Sequence, residues 1–183
     1  SLPLGGKIYH TIGIGEQCWL KENLDIGRML AEGELPTDND VIEKYCYDND
    51  SLNCESFGGL YSWDEMMKYF PVQGSQGICP NGWHIPTDEE WRELEAFADS
   101  QFDAGDPEWE KTFFRGLDAG RHLKSIIAWN PGGEGDNVFN FRALPGGYLE
   151  EGSGYQKLKV QGRYWSSTHD SGHNALSRIL EDV

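Results

Sequence analysis

The chain has 183 residues, of which 38% are hydrophobic and 13% aromatic, and it carries a formal net charge of −16 at pH 7. That length supports one domain with its own core, and the aromatic content excludes a disordered chain despite 23 glycines. Only 15 lysines and arginines stand against 31 acidic residues, which excludes a phosphate-binding surface and nucleic acid as a partner.

No apolar run approaches the roughly 20 residues that span a bilayer, so no transmembrane segment is expected. Ser1-Leu2-Pro3-Leu4 lacks an initiating Met and reads as a trimmed mature start. Lys7 to Ile14 alternates weakly around Gly13 and predicts a strand or hairpin. Gln17-Cys18-Trp19-Leu20 predicts a second extended run, and Lys21-Glu22-Asn23-Leu24 a turn or short helix. Residues 31–56 are polar and acidic and predict a long surface loop. Ser62 with Glu65 three residues on is a capping box, predicting a helix through Trp63, Met66, Met67 and Phe70 that Pro71 stops.

The stretch from Cys79 to Trp91 holds the densest local instructions. Pro80-Asn81-Gly82 is turn chemistry, and Trp83-His84-Ile85 predicts a short extended run ended by Pro86. Thr87 with Glu90 forms a second capping box, opening a helix that sets Trp91, Leu94 and Ala98 on one face. Trp19, Trp63, Trp83 and Trp91 are assigned to the core, and His84 reads as a hydrogen-bonded structural histidine. A short helical turn is expected within residues 116–127, and Asn130 to Asn137 reads as loop. Strands are then expected at Phe139-Asn140-Phe141-Arg142-Ala143-Leu144, Leu158-Lys159-Val160, Tyr164-Trp165-Ser166-Ser167-Thr168 and Ala175 to Leu180. Helices in the middle and hairpins at the end predict an α+β fold, with two main helices around short antiparallel sheets and long loops.

The four cysteines lack the close pairing of a structural zinc site and read as disulfides of an oxidising compartment. Cys46 and Cys54 flank a turn-forming loop and are the first expected pair. Cys18 with Cys79 is the remaining pair, although four cysteines allow three connectivities.

Candidate chemistry is sparse. Ser166-Ser167-Thr168-His169 sets hydroxyls beside a histidine, but adjacency in sequence is poor evidence for a triad. His169, Asp170 and His173 have a spacing that binds zinc on a helix, yet Ser171-Gly172 favours a loop. Glu134, Asp136 and Asn137 supply the oxygen donors that calcium requires and are the candidate metal ligands. Exposed aromatic and polar residues on the C-terminal loops are the candidate ligand-binding set: Tyr148, Tyr155, Trp165, His169, Asp170, His173 and Asn174.

Several segments together resemble the Fibrobacter succinogenes major paralogous domain, a family of secreted and surface proteins. They are Gly15-Glu16-Gln17-Cys18-Trp19-Leu20-Lys21-Glu22-Asn23-Leu24, Tyr45-Cys46-Tyr47, Gly59-Leu60-Tyr61-Ser62-Trp63, Cys79 to Trp91, Leu123-Lys124, Phe141 to Tyr148, and Tyr164 to Thr168. The resemblance covers residues 8 to about 180 in one domain, 1–183. It implies a C-type-lectin-like fold, related to formylglycine-generating enzymes and to retroelement-diversified proteins whose C-terminal face is the variable binding surface. It also implies an exported, cell-surface or secreted location, often as a lipoprotein, and no known activity. No cysteine follows Cys79, so the cysteine chemistry of formylglycine-generating enzymes does not carry over. The family closes with a strand resembling Gly-Phe-Ser-Val-Arg-Cys, and the chain ends at Asp182-Val183 before it. The expectation is a binding or adhesion domain for a glycan or surface protein. The alternatives are a hydrolase or modifying enzyme, or a surface subunit completed by a partner's strand.

Overall fold

The computed structural model describes residues 1–170 and 174–182. Two hairpins open the chain, β1 (Leu2–Leu4) with β2 (Lys7–Tyr9) and β3 (Thr11–Ile14) with β4 (Gln17–Leu20). A short parallel pair follows, β5 (Arg28–Leu30) with β6 (Glu43–Tyr45). Four helices occupy the middle: α1 (Ser51–Phe57), α2 (Trp63–Met66), α3 (Asp88–Ala98) and α4 (Ala119–Leu123). Two more antiparallel hairpins close the chain, β7 (Tyr148–Glu150) with β8 (Gly154–Gln156) and β9 (Gln161–His169) with β10 (Ala175–Glu181). The architecture is α+β, as its pattern predicts. Among the described residues no helix is long and apolar enough to cross a membrane.

The Thr87 capping box forms in full. Thr87 Oγ1 accepts from the Glu90 backbone N–H at 3.1 Å, and Glu90 Oε2 accepts from the Thr87 backbone N–H at 2.8 Å. The helix it starts buries Trp91, Leu94, Ala96 and Ala98. Asp99 closes its far end: Oδ1 accepts from the backbone of Gln101 and Phe102, and Oδ2 from Leu117, Asp118 and Ala119. One carboxylate thus ends α3 and begins α4.

Five elements depart from the sequence pattern, among them Leu158-Lys159-Val160, which form a turn rather than a strand because Lys157 and Lys159 take left-handed backbone angles. Residues 31–56 are not a structureless loop, because they hold β6, a 3₁₀ turn and the start of α1, whose N-cap Asp50 accepts from the Leu52 backbone N–H at 3.0 Å. Helix α2 stops after four residues because Lys68 and Tyr69 take left-handed backbone angles, φ 52° and 56°. Its capping box is half made: Ser62 accepts from the Glu65 N–H, while the Glu65 carboxylate bonds the Glu43 N–H and the Tyr69 hydroxyl instead. Residues 139–144 form no strand, since Asn140 and Arg142 are also left-handed, and only Ala143 bridges to Lys124. Trp83-His84-Ile85 pairs with no strand either.

The core has two clusters. The larger joins Ile14, Trp91, Leu94, Trp109, Leu123 and Phe141, with Trp19, Tyr164 and Leu180 packed on it. The smaller joins Tyr9, Ile26, Met66, Met67, Ile78 and Ile85, with Tyr61, Trp63 and Cys79 against it. Trp91 is core as expected, Trp19 is half-buried against its cluster, and Trp63 is half-buried against the smaller one. Trp83 belongs to neither cluster.

The disulfide Cys46–Cys54 is present. Cys18 and Cys79 are free thiols, which corrects the expected second bridge. Cys18 is exposed in β4 opposite Gly13, whereas Cys79 packs on the smaller core cluster.

Replacing Asp99 by Ala is expected to lower stability by about 2 kcal/mol at neutral pH, from lost caps and stranded N–H groups. Burial alone favours the protonated acid, but the backbone N–H groups outweigh it and hold the Asp99 carboxyl below its ordinary range. Its stabilisation is therefore full above the unfolded pKa and lost as pH falls through the folded value. Urea denaturation of both proteins across acidic pH checks this: the gap narrows as pH drops.

Candidate functional site

A cleft of about 1120 Å³ opens between the two core clusters. Ile78 and Ile85 of the smaller cluster and Trp91 and Phe141 of the larger both reach its walls. Its lining comes chiefly from stretches within residues 16–24, 32–36, 57–62, 78–91, 141–152 and 163–165, joined by Tyr45, Met66 and Ser177. Aromatic rings dominate: Trp19, Tyr61, Trp83, Trp91, Tyr148, Tyr164 and Trp165 all border it.

Packing fixes most of these rings. Trp91 lies 4.9 Å from Trp19 and 5.8 Å from Tyr164, centroid to centroid. The Trp19 indole donates to Gln17 Oε1 at 3.0 Å, and the Tyr164 hydroxyl to the Leu144 carbonyl at 2.8 Å. Burial pushes the Tyr164 and Tyr61 hydroxyls far above the ordinary tyrosine range, so both stay neutral donors. The Trp165 indole donates to the Tyr61 carbonyl at 2.9 Å, while 36% of the residue stays exposed. Trp83 is half-buried, and its indole N–H has no partner among the described residues. Rigid rings with an open face are what a stacking ligand requires.

Polar groups stand between the rings. Arg163 lies flat on Tyr148, 3.3 Å from its centroid, and donates through Nε to Gln161 at 2.6 Å. His84 Nε2 lies 2.7 Å from Glu90 Oε1. The other oxygen of Glu90 bonds Thr87 through both its N–H and its hydroxyl. A histidine, a carboxylate and a hydroxyl therefore meet, but in the wrong order for a hydroxyl–imidazole–carboxylate triad. The carboxylate sits in the middle, and the Thr87 hydroxyl holds the helix cap rather than the imidazole. Cys79 also lines the cleft, but burial pushes its thiol up to about 12, which leaves it a poor nucleophile.

The structure divides the sequence-derived binding set. Tyr148 and Trp165 lie in the cleft. Tyr155 sits outside its wall, stacked on Tyr47 at 5.2 Å with its hydroxyl on Asn49. Asp170 and Asn174 close the β9–β10 hairpin: the Asn174 backbone N–H donates to Asp170 Oδ1 at 2.9 Å, and the Asp170 N–H to the Asn174 carbonyl at 2.9 Å. His169 packs edge-on against Trp63 at 5.9 Å. His173 lies outside the described residues.

The candidate calcium ligands serve other partners. Asp136 pairs with Arg121 at 2.5 Å, Asn137 Oδ1 accepts from the Arg142 backbone, and Glu134 accepts from the Gly132 backbone. Among the described residues no group of three His, Cys, Asp or Glu side chains is placed to hold a metal ion. Sequence reading overlooked Trp83 as a cleft residue, and Arg163 altogether. Trp83 had one available signal: it stands between a turn and a proline, where a strand has no room to bury it.

The sequence model of the Fibrobacter succinogenes major domain matches residues 12–182. No curated protein and no solved structure matches the chain.

The free thiols can be counted. Alkylation of the native protein without reductant is expected to modify Cys18 readily and Cys79 slowly. Unfolding exposes two thiols, and reduction exposes four. Intact mass checks this, and either no alkylated cysteine or four in the unfolded, unreduced protein contradicts it.

Proposed function

The chain belongs to the Fibrobacter succinogenes major domain family, and we propose that it is a carbohydrate-binding domain whose site is the aromatic cleft. The observation that carries this reading is the cleft itself, a preformed concavity floored by fixed rings with hydrogen-bonding groups between them. Sugar rings present apolar C–H faces and polar edges, and Trp83, Trp165 and Tyr148 offer the matching surfaces. Gln17, His84 and Arg142 supply polar side chains along the walls. The segments that carry the family resemblance also support it, because residues 16–24, 59–62 and 141–148 all contribute to this lining.

A C-type-lectin-like fold fits the N-terminal hairpins, the central α3 and the closing β9–β10 hairpin. The Cys46–Cys54 disulfide supports an exported protein, since such bridges persist in oxidising compartments. On this reading the protein acts at the cell surface or outside it, as an adhesion or capture module. No second reading is favoured by a specific contact.

Titration with soluble oligosaccharides, followed by intrinsic tryptophan fluorescence, tests the proposal. Saturable quenching is expected, and Trp83→Ala is expected to weaken affinity about tenfold, the equivalent of ~1.4 kcal/mol. The ring lies outside both core clusters, so the variant is expected to melt within a few degrees of the parent. Binding that is indifferent to Trp83 and Trp165 contradicts the site.

A further inference from the structure

Most arginines in this chain are spent on carboxylates. Arg28, Arg92, Arg115, Arg121 and Arg178 each sit in an ion pair with an aspartate or glutamate. Arg142 and Arg163 make no such pair among the described residues, although acidic residues outnumber basic ones by 31 to 15. Both of them line the cleft.

Of the two, Arg163 is held in place. One face of its guanidinium lies on the Tyr148 ring, and its Nε donates to Gln161 Oε1. Gln161 is 4% exposed, and its Nε2 donates to Glu181 Oε1, which leaves its own Oε1 for Arg163. The arginine is therefore oriented from inside the fold, by a buried amide whose direction is itself fixed. A guanidinium carries five N–H donors in one plane. Nε is spent, and the Nη groups meet no partner among the described residues. A long side chain already restricted in this way loses less entropy when those donors are used.

Trp165 stands two residues further along β9. Alternate residues of a strand share a face, roughly 6.6 Å apart, and Arg163 and Trp165 are both exposed. The Trp165 indole is fixed in its turn by the Tyr61 carbonyl. A flat ring and a planar pair of donors thus lie side by side on one strand. A sugar ring stacked on the indole turns its edge oxygens toward the guanidinium. The Nη pair is matched by two acceptors on neighbouring atoms, which a carboxylate or two adjacent hydroxyls supply. The net charge of −16 repels the carboxylate and leaves the hydroxyls.

We propose that Arg163 sets the specificity of the cleft, which takes a neutral sugar that stacks on Trp165 and presents two adjacent free hydroxyls to the Arg163 Nη groups. This rests on the carbohydrate-binding reading of the same cleft.

The test compares four hexasaccharides on the intact protein by calorimetry at low and high salt. The β-1,4-linked cellohexaose and mannohexaose keep a free 2,3-hydroxyl pair on every internal residue. The β-1,3-linked laminarihexaose has no adjacent pair there, and hexagalacturonate keeps the pair but adds carboxylates. Cellohexaose or mannohexaose is expected to bind about tenfold more tightly than laminarihexaose, indifferent to salt, and hexagalacturonate more weakly than the preferred neutral sugar. Arg163→Lys keeps the charge and loses the planar pair. It is expected to lose that tenfold preference, with its fold checked by near-ultraviolet circular dichroism. Equal affinity for the three neutral sugars, a preference that survives in Arg163→Lys, or tightest binding of hexagalacturonate overturns the assignment and leaves the carbohydrate reading standing. Binding of none of the four overturns both.

Discussion

Arg178 in β10 holds the two halves of the molecule together. Its guanidinium meets Asp88 at 2.6 Å and Glu95 at 2.8 Å, one at the start of α3 and the other two turns on. Arg92 joins Asp88 from the next turn at 2.9 Å, and Arg115 joins Glu95 from the loop before α4 at 2.5 Å. The C-terminal hairpin, the long helix and that loop are thus tied at one buried point. Burial pushes the Glu95 carboxyl above its ordinary range, while Arg178 and its neighbours overcome burial and hold Asp88 below. Removing one member of such a network leaves an uncompensated buried charge, at a cost of about 3–5 kcal/mol. The cleft depends on this tie, because Trp91 of α3 and Trp165 of β9 both form its wall, with the Trp91 indole donating to the Trp165 carbonyl at 3.3 Å.

What sequence could reveal was local. The Thr87–Glu90 box is a four-residue instruction, and it formed as written. Cys46 and Cys54 are eight residues apart and meet across one helical turn and its approach. The network around Arg178 was invisible beyond the Asp88–Arg92 pair on α3, since Arg178 itself lies up to 90 residues from its partners. Helix α1 was hidden for another reason. Its sequence has no apolar stripe, only Cys54 is buried, and an Asp50 cap with a disulfide does the work that such a stripe usually does. Residues 139–144 misled in the opposite direction. Their alternating apolar residues fit a strand, but two left-handed residues turn the backbone at each polar position.

The candidate site was half legible. Tyr148 and Trp165 were identified as aromatics near the C-terminal loops, and both line the cleft. The hairpin residues Asp170 and Asn174 attracted attention because polar tips often bind ligands, yet their side chains bond each other across the turn. A cleft assembled from distant stretches of chain has no linear signature. Its pieces were still recognisable one by one, since most segments that resemble the family reappear in its walls.

The claim that the aromatic cleft is the binding site faces its most direct test in the indole N–H resonances of the seven tryptophans. Adding a bound oligosaccharide to labelled protein is expected to shift Trp83 and Trp165 strongly, and to leave the buried Trp109 and Trp129 in place. Shifts confined to backbone amides of the β9–β10 hairpin tip, with Trp83 and Trp165 unmoved, contradict the account.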